Sequence, residues 1–200
     1  MSETVLAIDT GAPRLQLALL RAGSVDTLIE DMAQGQAERL MPAIGDLLGR
    51  NALRYADLTR IAVTTGPGSF TGLRIGLSAA RGLGLALNVP VVGVPTLLAL
   101  SLGAAGPLAV LMDARRGEAY VQRFSAPGLA ETEPCITPMD NALAIAGALR
   151  VEPGPFCDIG LVARFAAAAD PGTFPPEALY VRGADAKPQD RFRVARREET

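Results

Sequence analysis

An α/β fold of two lobes is what this sequence predicts, and three observations carry that expectation. Strand-like and helix-like apolar patterns alternate through the first half of the chain. A glycine-rich loop, Gly66-Pro67-Gly68 with Gly72, opens a long and almost wholly apolar helix. After a Gly/Ala/Pro stretch near Ser101 to Pro107, a second run of hairpin and helix patterns begins. The lobes read as residues 1–104 and, smaller and ending in an irregular tail, residues 105–200. At 200 residues and 49% hydrophobic, with 21 glycines and 15 prolines, the chain has enough apolar mass for a proper core.

Thr4 to Asp9 (TVLAID) reads as an apolar strand ending in the turn Asp9-Thr10-Gly11. Arg14 to Leu20 and Val25 to Glu30 are the next strands, joined by Ala22-Gly23-Ser24 into an antiparallel meander. Ala37, Leu40, Met41, Ile44, Leu47 and Leu48 fall at helical spacing, with Pro42 predicting a late start or a kink. Asp57 to Thr64 leads into a strand (IAVT), followed by the long helix Gly72 to Asn88, with Ser69 or Thr71 as its N-cap. Val89 to Val94 is a buried strand and Thr96 to Leu102 a short apolar helix. In the second lobe, Leu108 to Asp113 and Glu118 to Phe124 form a hairpin about Arg115-Arg116-Gly117. Met139 to Leu149 and Leu161 to Ala169 read as helices, and the charged tail from Ala184 onward as irregular.

The inventory of reactive residues is short. There is no histidine, which excludes Ser-His-Asp and Cys-His nucleophilic sites and histidine-ligated zinc or iron. Carboxylates alone suit Mg²⁺ better than a transition metal. Lys187 is the sole lysine, so the loop at Gly66 is no Walker A motif, which needs G-x-x-x-x-G-K-S/T. The net charge of −2 gives no general attraction to polyphosphate. Cys135 and Cys157, outside any C-x-x-C pair, read as free thiols of a reducing cytoplasm. The start, Met-Ser-Glu running into a strand, predicts no signal peptide. No charge occurs from Gly82 to Met112, yet Pro90, Pro95 and Pro107 cut that stretch too short to span a membrane.

Two readings of the glycine loop stay open: a cradle for phosphate at a helix N-terminus, and a tight turn that lets backbone pack closely. Asp9 at a strand end reads either as a turn-former or as a holder of Mg²⁺-bound phosphate. Asp113, Arg115 and Glu118 fit ordinary surface charge or a site in the second lobe's hairpin. In the long helix the polar stripe is Arg74, Ser78 and Arg81, while Gly72, Gly76, Ala80 and Gly84 recur every fourth position. A helix so apolar is wholly internal or covered by a partner.

The order β-β-β-α-β-α-β resembles the ribonuclease-H-like fold that is duplicated in the actin-like/Hsp70-like ATPase superfamily. Within it, TGPGSFTGLRIG, VPVVGVPTL and DARRGEAY, with GQAERLMPAI and YVRGADAKPQ, resemble the TsaB (YeaZ) family of tRNA threonylcarbamoyladenosine (t6A) biosynthesis. That resemblance implies a non-catalytic paralogue of TsaD, whose H-x-x-x-H metal motif would fall here on Thr96 and Leu100. Gln36 stands where the family commonly has histidine. The implied role is to bind and activate a TsaD-type transferase as a heterodimer, together with a TsaE-type ATPase, in threonylcarbamoylation of adenosine 37 of tRNA. Implied too are a homodimer when alone, tRNA contact only through the complex, a cytoplasmic location and no membrane.

No catalytic residue, metal or cofactor of its own is expected. ATP or ADP is left room at an interface of the complex. Asp9, Thr10, Gly66, Gly68 and Ser69 are then a vestigial phosphate site. The partner interface is expected on Leu40, Ile44, Leu47, Leu73, Gly76, Leu77, Ala80 and Gly84 of the first two helices. The rival function is an ATP-dependent small-molecule kinase of the same superfamily, using Asp9 and the Gly66–Gly72 loop.

Overall fold

The computed structural model describes residues 3–181. The first sheet is built from β1 (Thr4–Ala12), β2 (Arg14–Arg21) and β3 (Ser24–Asp31), an antiparallel meander, with β4 (Arg60–Thr64) and β5 (Val91–Val94) parallel to β1. Its strand order is β3-β2-β1-β4-β5. Because strand side chains alternate, Leu6, Ile8, Leu15, Leu17, Ile61 and Val63 share one face, and Val5, Ala7, Ala18, Leu20, Ala62 and Val92 the other. Strands apolar on both sides need cover on both faces.

The first face is covered by α1 (Gln36–Arg50) and α2 (Phe70–Leu87). Pro42 lies inside α1, which starts before it and runs through it, rather than starting late. The lost hydrogen bond is offset by burial of Leu40, Ile44, Leu47 and Leu48, each worth roughly 1.5–3 kcal/mol. Ser69 caps α2, its hydroxyl accepting from the Gly72 N–H at 3.3 Å. The small-residue row of α2 turns inward. An added Cβ at Gly76 would lie 2.6 Å from Thr10 Oγ1, and one at Gly72 would overlap the Thr10 carbonyl oxygen.

The second sheet has the order β10-β6-β7-β8, from β6 (Leu108–Arg115), β7 (Glu118–Ala126), β8 (Leu129–Ala130) and β10 (Arg150–Pro153); β9 (Cys135–Pro138) also pairs with β7. Helix α4 (Met139–Ala146) packs on one face through Ala142 and Ala146, against Ala109, Leu111, Ala119 and Val121. The uncharged stretch from Gly82 to Met112 is divided among the end of α2, β5, the short helix α3 (Thr96–Ser101) and β6. Among the described residues no helix is long and apolar enough to cross a membrane.

Helix α5 (Ile159–Ala168) departs from the lobe boundary expected at 104/105. It returns to the first sheet and, with α3, fills the space between the two sheets in one continuous core. The reason lies in an alanine row: Ala18, Ala7 and Ala62 stand side by side across β2, β1 and β4. Small side chains let Val162, Ala163 and Ala166 of α5 come close. Asp158 caps the start of α5, accepting from Gly160 and Leu161 N–H groups at 2.8 and 3.2 Å. Arg60 reaches its other end, donating to the carbonyls of Ala166 and Ala169 at 3.0 and 2.6 Å, a cation at the negative pole of a helix. The following segment recrosses β5 and the end of β4: the Gly93 N–H donates to Phe174 O and the Leu179 N–H to Thr65 O, both at 2.8 Å.

Candidate functional site

The two lobes enclose a cleft of about 690 Å³. Its walls are the end of β1 (Asp9, Gly11, Ala12), the loop opening α2 (Pro67 to Thr71), Thr96, and Met112, Asp113, Arg115 and Tyr120 of the second hairpin. Asp113 and Arg115, ambiguous in the sequence, therefore face the cleft. The Asp113 carboxylate accepts from the Arg115 N–H at 2.8 Å and shapes a turn in which Arg115 and Arg116 take φ of 65° and 56°. Glu118 begins β7 and is not part of that wall.

Asp9 is 4% exposed, and both of its oxygens are engaged. Oδ1 accepts from the Gly11 N–H at 2.9 Å and from Thr64 Oγ1 at 2.6 Å. Oδ2 accepts from Gln16 Nε2 at 3.0 Å and meets the Cys157 thiol at 3.8 Å. Burial, and then the Asp9 charge, push the Cys157 thiol well above its ordinary range, so it stays protonated and donates. A carboxylate held this way has no oxygen left for the water shell of Mg²⁺. Around it, Arg115 is the single cation lining the cleft among the described residues. This donor set does not fit a magnesium-bound phosphate.

The glycine loop packs closely against the end of β1. The Ser69 N–H donates to Gly11 O at 2.7 Å, and Thr10 Oγ1 donates to Gly72 O at 2.7 Å. A Cβ at Gly68 would sit 2.7 Å from Gly11 O. Gly66, at φ 105°, is in the region that favours glycine, and its carbonyl accepts from the Thr96 N–H at 2.8 Å. Thr10, Gly66, Gly68 and Ser69 thus come together with Asp9 as a backbone junction. Gln16, Thr64 and Cys157 were not anticipated. A glutamine in the apolar run of β2 was a readable signal, whereas nothing around Cys157 announces its partner.

Thr96 and Leu100 both lie in α3, 8% exposed each, and the Thr96 hydroxyl has no hydrogen-bond partner among the described residues. No cluster of three or more metal-ligating side chains occurs among those residues. Gln36 is buried, its amide donating to Met32 O at 2.9 Å ahead of α1.

Of the expected interface residues, Leu40 also lines the outward groove between α1 and α2, while the rest are turned inward. Leu40, Ile44, Leu47, Leu77 and Ala80 lie in the core under the first sheet, and Leu73, Gly76 and Gly84 are buried against β1, β4 and β5. Strands and helix approach closely only where the helix is small, so the every-fourth-residue row faces inward. What α1 and α2 present outward is an apolar groove of about 500 Å³, with Leu40 at its floor among Ala37, Met41, Phe70, Arg74, Ile75 and Ala79. The YVRGADAKPQ segment beyond Val181, Lys187 and the charged tail lie outside the described residues.

A two-lobed actin-like fold whose cleft carboxylate is tied into the frame defines the class. Residues 30–143 match the family described as TsaD, tRNA N6-adenosine threonylcarbamoyltransferase. An uncharacterized protein of Mycobacterium tuberculosis is 38% identical over 202 residues, covering 92% of this chain and 94% of that protein. The tRNA threonylcarbamoyladenosine biosynthesis protein TsaB of Escherichia coli is 36% identical over 121 residues, 58% of this chain and 52% of its own length. That of Bacillus subtilis is 38% identical over 124 residues, with 58% and 53% covered. YeaZ from Pseudomonas aeruginosa has the same fold, with a TM-score of 0.75 and 24% identity over 89% of this chain and 99% of that one. The chain belongs to the TsaB/YeaZ family.

Proposed function

We propose that this chain is a non-catalytic partner that binds and activates a TsaD-type transferase in threonylcarbamoylation of adenosine 37 of tRNA. The observation that carries the reading is Asp9: the buried strand-end carboxylate at the cleft is committed to Gly11, Thr64 and Gln16. The pathway comes from the relatives named for t6A biosynthesis, of which this chain matches about half the length. In this reading α1 and α2 meet the TsaD-type protein, or a second copy of this chain when it is absent. A TsaE-type ATPase joins the complex, tRNA is touched through the complex, and ATP or ADP binds only at an interface between chains.

The test is reconstitution. A purified TsaD-type transferase, given tRNA and activated threonylcarbamoyl donor, is expected to form t6A when this chain is present and to fail without it. Equal product in its absence would sink the proposal. Steady ATP hydrolysis by this chain alone, abolished in Asp9→Ala, would put the kinase reading in its place.

A further inference from the structure

A protein with two lobes around a cleft closes on a ligand by rotating about the segments that cross between them, where a few residues absorb the change in φ and ψ. Among the described residues two segments cross: 95–107, which contains α3, and 154–158, which leads from β10 to α5. Each is fastened to both lobes. On the first, all six residues of α3 are buried. The Thr96 N–H donates to Gly66 O at 2.8 Å, on the side of the first lobe. At the other end of α3, Ser101 Oγ donates to Leu98 O at 2.7 Å and accepts at 3.0 Å from the Gly128 N–H, in the turn between β7 and β8.

The second crossing is pinned residue by residue. The Gly154 N–H donates to Leu111 O of the second sheet at 3.3 Å, and an added Cβ at Gly154 would lie 2.7 Å from Met112 Cγ. The Phe156 ring lies 3.9 Å from the Arg14 guanidinium at the start of β2, which is itself ion-paired to Asp31 at 2.6 Å. Cys157, 6% exposed, sets its thiol against Asp9 at the end of β1. Beyond it, Arg164 of α5 donates to Gly23 O, in the turn between β2 and β3, at 2.8 Å. The chain then folds back over β5, where Phe174 meets Phe165 edge-on at 5.2 Å and a Cβ on Gly93 would overlap the Pro175 carbonyl oxygen.

We infer that both crossings are locked, so that the two lobes move as one body and the cleft keeps its width whether or not a nucleotide is present. The reason is where the crossings lie. Leu97 to Leu100 of α3, Cys157, and Ile159, Val162, Ala163 and Ala166 of α5 belong to a single core with Val5, Ala7 and Ala62 of the first sheet and Leu108, Val110 and Phe124 of the second. Rotating one lobe against the other would pull that core apart, and close-packed interiors do not deform continuously. Opening the cleft and unfolding the chain are therefore the same event. Phe156 on Arg14 and Cys157 on Asp9 hold the residues that a hinge would need to turn. The chain thus offers any partner a surface of fixed shape, one that ligand binding in the cleft does not alter. This inference goes beyond the proposed function and stands whichever partner the chain serves.

The two cysteines allow a direct test, since Cys135 is exposed and Cys157 is buried between the lobes. In the full chain carrying Cys135→Ser, maleimide labelling of Cys157 in native buffer reports every opening that uncovers it. Labelling is expected to be slowed, relative to the unfolded chain, by the whole folding equilibrium constant read from urea unfolding, within about fivefold. Labelling faster than that margin, and insensitive to urea, would show a hinge that opens without unfolding and would overturn the inference. A second measurement uses spin labels on Thr27→Cys and Asn141→Cys in the same background, two exposed positions, one on each lobe. A single distance distribution is expected, unchanged by magnesium-ATP. A second distance in the free chain, or a shift on adding the nucleotide, would equally overturn it.

Discussion

Asp9 shows how one residue can keep its place in a fold while its chemistry is redirected. Its carboxylate takes donors from β1 itself, from β2 and from β4, and it touches Cys157 ahead of α5. It therefore joins three neighbouring strands and the linker from the other lobe at one buried point. Replacing it by alanine strands the Thr64 hydroxyl and the Gln16 amide. Each buried orphan costs about 1–3 kcal/mol, so Asp9→Ala should lose several kcal/mol in denaturant unfolding while Asp9→Asn loses less. An Asp9→Ala protein as stable as the wild type would show that these hydrogen bonds do not support the fold. The strand-end position of Asp9 was legible in the sequence. Its saturation was not, because the donors come from residues 16, 64 and 157, and only a fold brings those together.

The most informative element is α2, whose two faces obey different demands. Inward, Gly72, Gly76, Ala80 and Gly84 let the helix axis settle onto β1, β4 and β5. Outward, Arg74, Ser78 and Arg81 keep it soluble between patches of apolar surface. Ala80 has no exposure and packs in the core under the first sheet. Ala80→Glu is therefore expected to abolish the cooperative thermal transition, since an unpaired carboxylate there costs roughly 3–5 kcal/mol. A folded Ala80→Glu chain that had lost only partner binding would return this row to the interface. Helical periodicity made α1 and α2 readable, and alternating or apolar runs bounded by turn residues made the first five strands readable. It did not say which stripe of a nearly all-apolar helix faces the sheet. The strands β8, at two residues, and β9 and β10, at four each, are too short to establish a period.

On the scale of the molecule, the layers run α1 and α2, first sheet, α3 with α5, second sheet, α4. The first lobe is thus not a continuous stretch of chain. Residues 1–104 alone lack the helix that covers Val5, Ala7, Ala18 and Ala62. That fragment is expected to show no cooperative melting by circular dichroism and to bind hydrophobic dyes, whereas the whole chain melts in one step. A sharp transition in the fragment would mean that α5 is dispensable to the first sheet.

The late position of α5 also has a bearing on how the protein is made. Every strand of the first sheet is complete in the sequence by Val94, but the helix that seals its second face begins only at Ile159. At the ~5–20 residues per second of ribosomal synthesis, that face stays open for several seconds on a nascent chain. Its alanine row is a weak magnet for other apolar surfaces compared with leucine or isoleucine. The same small side chains that admit α5 so closely therefore also limit aggregation of the half-made protein while α5 is still inside the exit tunnel.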